Sequence, residues 1–133
     1  MPSSDPAKRL QDILDNIARI RAHLGRMTAK RFFADAKTQD AVERCLERIS
    51  EAARKIGDVL DRRYPEVEFP KLRQFGSLLR HNYDGVDDDL IWQAVKERLD
   101  PLEAACRQEL GAKPSKSGAA TKSAGRAARR KRS

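Results

Sequence analysis

Arg73-Gln74-Phe75-Gly76-Ser77-Leu78-Leu79-Arg80-His81-Asn82-Tyr83-Asp84 decides how the rest of the chain is read. It gathers two arginines, one of the two histidines and one of the two tyrosines. Pro70, just before it, suits the first turn of a helix, where its missing N–H costs nothing. Leu72, Phe75, Leu78, Leu79 and Asn82 recur at helical spacing. The spacing predicts a helix over 70–83, stopped by Asp84-Gly85. A cluster of titratable groups marks an active site in some proteins and the polar end of a helix in others. The residue types alone leave both readings open.

Upstream, Tyr64-Pro65 to Phe69-Pro70 reads as a connector, because prolines do not let a helix run through. Before it, Ala41, Val42, Cys45, Leu46, Ile49, Ala52, Ala53, Ile56, Val59 and Leu60 form one apolar stripe, which predicts a helix from about Thr38 to Arg62. Glu51 borders that stripe. It either faces inward or pairs on the surface with Lys55, four residues on. Residues 26–37 read as a connector anchored by Phe32 and Phe33, with Asp35 to Thr38 supplying a turn and a cap. The first helix opens at Asp5-Pro6, carries Leu10, Ile13, Leu14, Ile17, Ile20 and Leu24, and ends at Gly25. His23, near its end, reads as a solvated residue favoured by the helix dipole.

Downstream, Asp87 caps a last helix containing Leu90, Ile91, Trp92, Val95, Leu99, Leu102, Cys106 and Leu110. Pro101 kinks or restarts it, and Gly111 ends the fold. Residues 112–133 hold eight Lys and Arg and no acid, while the twenty basic residues before them balance all twenty acids. This tail lacks apolar periodicity and reads as disordered. Arg129-Arg130-Lys131-Arg132 suits phosphate contact or simply solubility. The expected fold is therefore all-α: an up-down four-helix bundle over 1–111 and a disordered basic tail over 112–133.

No run of about 18 apolar residues predicts a membrane span. Met1-Pro2-Ser3-Ser4-Asp5-Pro6 lacks the features of a secretory signal, so a cytoplasmic chain is expected. Cys45 and Cys106 read as small core residues of a reducing compartment. With His23 and His81 they do not make a zinc site at any usual spacing. No metal or cofactor is expected, and no Gly-rich phosphate loop or Gly-x-Ser-x-Gly nucleophile motif occurs.

Leu78-Leu79-Arg80-His81-Asn82-Tyr83-Asp84-Gly85-Val86-Asp87, then Ile91-Trp92, then Leu99-Asp100-Pro101-Leu102, resembles the HepT-like branch of the HEPN superfamily. Arg9-Leu10-Gln11-Asp12-Ile13-Leu14, Phe33-Ala34-Asp35, Thr38-Gln39-Asp40-Ala41-Val42 and Ile49-Ser50-Glu51-Ala52-Ala53 are similar to other stretches of that family. The likeness covers roughly residues 8–110. It implies a dimerising helical bundle with paired sites facing one cleft, and a metal-independent endoribonuclease acting as the toxin of a type VII-like toxin–antitoxin pair. It also implies an MNT-type nucleotidyltransferase antitoxin that adds AMP to the tyrosine of the His-x-Tyr motif. By match, His81 is the catalytic histidine and Tyr83 the modified tyrosine, with Ser77, Asn82 and Glu51 as supporting candidates.

One position departs from the pattern. The family's usual arginine stands five residues before the histidine, where this chain has Gly76. Arg73 and Arg80 are the candidates for its role, and a family subgroup with Arg-x-x-Gly-Asn-x-Leu-Arg-His is closer. RNA brings its own 2′-OH nucleophile. Histidine moves protons near neutral pH, and a guanidinium steadies a phosphate as charge builds on it. Two other readings stand beside the nuclease: a catalytically silent HEPN module that binds nucleotide or partner, and a helical protein that binds nucleic acid through its tail.

Overall fold

The computed structural model describes residues 5–81 and 88–112, without the side chains of His81 and Ala112. The helix-stopping Asp84-Gly85, the Asp87 cap, Asn82, Tyr83 and the basic tail lie outside the described residues. Those described form five α-helices, one 3-10 turn and no strand.

Helix α1, Pro6–Leu24, starts where the sequence places it. Asp5 Oδ1 accepts the Lys8 N–H at 3.1 Å, and Pro6 takes the first helical position. It ends at Gly25, whose φ of +54° suits a residue without Cβ. The expected connector over 26–37 contains a helix of its own. Thr28 caps α2, Ala29–Phe33, by accepting the Arg31 N–H at 3.2 Å. At five residues α2 is too short to carry a periodicity. It buries Phe32 against Trp92, with ring centroids 5.3 Å apart.

Helix α3, Ala36–Ile56, is capped by Asp35, whose carboxylate accepts the Thr38 N–H at 3.1 Å. That hydrogen bond holds the Asp35 carboxyl below the usual range. The helix stops six residues before the expected Arg62, at Gly57 with φ +86°. The apolar pattern continues through Val59 and Leu60, but only Leu60 is buried, and Val59 is 62% exposed.

Pro65–Val67 is a 3-10 turn that buries Tyr64, Val67 and Phe69 on either side of the left-handed Glu68 (φ 57°). Helix α4 follows over Phe69–His81, and α5 spans Asp88–Ala112. Pro101 lies within α5, which does not restart there, and the helix runs through Gly111. Arg21 reaches across from α1 to Asp100 at 2.5 Å and Glu103 at 2.6 Å, on either side of that proline. The Tyr64 hydroxyl donates to Glu109 at 2.8 Å, and Arg63 pairs with the same carboxylate. Burial and that carboxylate push the Tyr64 phenol up to about 12. Arg98 pairs with Glu68 at 2.7 Å, while Leu90 shares a groove with Leu78, so α5 runs antiparallel to α4.

Helix α3 packs against both α1 and α4, and α5 closes on α1. Ile13, Ile17 and Ile20 meet Val42, Ile49 and Ala53 and, from α5, Ile91, Leu99, Leu102 and Cys106. Each of the Val, Leu and Ile side chains among them contributes about 1.5–3 kcal/mol on burial, set against the entropy of ordering it. Cys45 and Cys106 are buried free thiols, and burial pushes Cys106 up to about 12. Leu78 and Leu90 depart from the expected core, at 42% and 38% exposed. They line a groove between α4 and α5 with Phe75 and Ala94. No described helix is long and apolar enough to cross a membrane.

Candidate functional site

Helix α4 is fastened to its neighbours at two points. The first is Ser50, fully buried on α3. Its hydroxyl donates to the Arg73 carbonyl at 3.1 Å and accepts the Gly76 N–H at 3.0 Å. The helices come so close here that a Cβ on residue 76 would stand 2.2 Å from Ser50 Oγ and 2.7 Å from Ser50 Cβ. Glycine at 76 is therefore a packing requirement. The same imagined Cβ would lie 3.4 Å from Arg80 Nη1, so the Arg80 guanidinium folds back over the place a side chain at 76 would fill.

The second fastening is Arg73. Its two terminal nitrogens grip Asp61 at 3.0 and 2.8 Å, and Nη1 also donates to the Gly57 carbonyl at 3.1 Å. The pair is mostly shielded from solvent, which strengthens a bidentate contact. The Arg73 hydrogen bond holds the Asp61 carboxyl below the usual range, and Asp61 raises Arg73 in turn. The end of α3, the 57–61 turn and the first half of α4 are thus one connected unit.

Between α3 and α4 lies an open groove of about 630 Å³. Arg54 and Asp58 line it on one side, and Pro70, Arg73, Ser77 and Arg80 on the other. Positions 70, 73, 77 and 80 form one row along α4, as spacings of three and four dictate. Arg80 is exposed and has no hydrogen-bond or ion-pair partner among the described residues. Its charge is available to a ligand in a way that the Arg73 charge is not. Among the described residues no group of three or more His, Cys, Asp or Glu is arranged to hold a metal ion.

The family of the chain follows from comparison with known sequences. The Ribonuclease HepT-like model matches residues 13–109. The chain belongs to the HepT-like family. A Methanocaldococcus jannaschii protein named "Putative RNase MJ0127" is 36% identical over 74% of this chain and 82% of its own length. "Probable ribonuclease HepT" of Thermococcus cleftensis is 35% identical over 71% of this chain and 86% of its own. "Putative RNase MJ1216" of M. jannaschii is 32% identical over 77% and 85%. No solved structure gives a significant match. Ribonuclease activity is thus the activity of the family to which this all-α HEPN-type bundle belongs.

In this HepT-like chain the groove brings together three residues singled out in the sequence: Arg73, Ser77 and Arg80. Glu51 is elsewhere. It lines a separate groove between α1 and α3 with Asn16 and Arg48, and it pairs with Arg54 at 3.6 Å rather than with Lys55. His81 is the last residue of α4, directly after Arg80. Sequence reasoning missed Arg54, Asp58, Ser50 and Asp61. Arg54 lies on the polar face of α3 and Asp58 and Asp61 in the turn after it, and nothing local distinguishes them from other surface charges. Ser50 carried one signal, a small polar residue inside an apolar stripe.

Proposed function

We propose that this HepT-like chain is a metal-independent endoribonuclease, the toxin of a type VII-like toxin–antitoxin pair. In this reading His81 moves the proton between the RNA 2′-OH and the leaving oxygen. Arg80 holds the scissile phosphate as charge develops on it. Such acid–base assistance is typically about 10²–10⁴-fold, and one charge-stabilising donor about 10²–10³-fold. The observation that carries the reading is the Arg80 guanidinium lying over position 76. The motif arginine is absent from Gly76, yet a cation occupies the space beside that residue, reached from one turn further along. Arg73 then serves to position α4, and Ser77 and Asn82 serve as polar neighbours of the site.

The same reading makes the active species a homodimer. The exposed Leu78 and Leu90, on the helices that lead to and from the His81 segment, support an apolar pairing face there. The antitoxin is an MNT-type nucleotidyltransferase that attaches AMP to the Tyr83 hydroxyl, adding bulk and negative charge next to Arg80 and His81. Induced expression of wild type and His81→Ala, with no neighbouring gene, tests this. The expected result is growth arrest with loss of RNA in the wild type alone. Normal growth with intact RNA in both would move the assignment to a silent binding module.

A further inference from the structure

We propose that Arg54 of α3 is a second phosphate-binding residue, placed on the wall of the α3–α4 groove opposite Arg80, and that its ligand is the phosphodiester backbone of single-stranded RNA. The inference rests on the nuclease reading above and extends it from one residue to a track.

Three arginines line the groove, and the structure spends them differently. Both terminal nitrogens of Arg73 are taken by Asp61 and the Gly57 carbonyl. Arg80 has no partner among the described residues, and the Arg54 side chain is 52% exposed with only a loose 3.6 Å pair to Glu51, three residues back on the same helix. An exposed pair of that kind contributes little and is readily exchanged for a better anion. A guanidinium binds phosphate bidentately, which makes phosphate such an anion. Once Asp61 has absorbed the charge of Arg73, the groove keeps two cations against the single carboxylate of Asp58. The Ser50–Gly76 contact fixes the spacing of the two helices that carry these cations, and a positively charged groove of this kind tracks the backbone of a single strand.

The test uses the full chain with His81→Ala, so that RNA is held and not cut, and a labelled single-stranded RNA oligonucleotide titrated at several salt concentrations. Arg54→Ala should weaken binding about 3- to 10-fold and flatten the log–log salt slope by about 0.7, one phosphate contact on a single strand. Asp58→Asn should tighten binding, since it removes the carboxylate that repels phosphate. Arg44→Ala is the control: Arg44 sits on the same helix, outside the groove and paired with Glu47 at 3.2 Å, and should change nothing. In the chain with His81 intact, Arg54→Ala should raise KM more than it lowers kcat. If Arg54→Ala behaves like Arg44→Ala while the wild type cuts RNA, the Arg54 assignment is wrong and the nuclease reading stands. If the folded wild type neither binds nor cuts RNA, both fall.

Discussion

Arg73 and Arg80 stand two turns apart on α4, on one row and in one groove, yet they meet different surroundings. Around Arg73 the chain supplies a carboxylate and a helix-terminal carbonyl, and both terminal nitrogens are engaged. Around Arg80 it supplies solvent and, among the described residues, no counter-charge. The first half of α4 is mounted and the second half is presented. Residue type does not tell structure from chemistry here. What separates the two arginines is whether the protein has already answered the charge.

Exchanging the roles is the sharpest way to break that contrast. Arg80→Ala should lower RNA cleavage about 10²–10³-fold while urea unfolding midpoints stay in place, because an exposed side chain without a described partner holds little together. If unfolding moved as much as activity, the two halves would not differ. Gly76→Ala attacks the mounting itself. Overpacking against Ser50 should cost about 1–3 kcal/mol, less the gain of about 1 kcal/mol that alanine brings to a helix. Adding Ser50→Gly should restore part of the loss, since Ser50 Oγ and Cβ are the atoms in the way. Additive losses in the double variant would mean the contact is not direct.

Arg73→Ala should cost about 1–3 kcal/mol by removing a shielded charged hydrogen bond and leave kcat of the folded fraction near wild type. Its pH dependence sharpens the point. The Asp61 carboxyl is depressed in the folded state, so its stabilisation is full above its unfolded pKa, about 3.9, and is lost as pH falls through the lower folded value. Denaturation followed across that acid window should be steeper for wild type than for Arg73→Ala. The smallest effect belongs far from the groove. Tyr64→Phe removes one hydrogen bond to Glu109 and should lower stability by about 1 kcal/mol, with no change in cleavage.

Much of the fold was legible where the determinant is local. Asp5-Pro6, Asp35 and Pro70 announce helix starts because a cap or a proline acts within three residues. The end of α3 was misplaced because Val59 and Leu60 extend the apolar rhythm, and periodicity cannot see that Gly57 turns the backbone away first. Leu78 and Leu90 show the same limit, since a helical stripe does not say whether a groove beside it is filled. The site was legible as residue types and illegible as assignments. The partners that decide between Arg73 and Arg80 are Asp61, Gly57 and Ser50, twelve to twenty-three residues from Arg73 in sequence, brought near only by packing.

The length of α5 has a bearing on how the body is held together. Its 25 residues cover about 37 Å at 1.5 Å per residue. Leu90 near its start walls the groove shared with Leu78 of α4, Asp100 and Glu103 in its middle hold Arg21 of α1, and Glu109 near its end holds Arg63 and Tyr64. One rod thus acts as a tie-beam, so that three otherwise separate parts of the chain share a single rigid member.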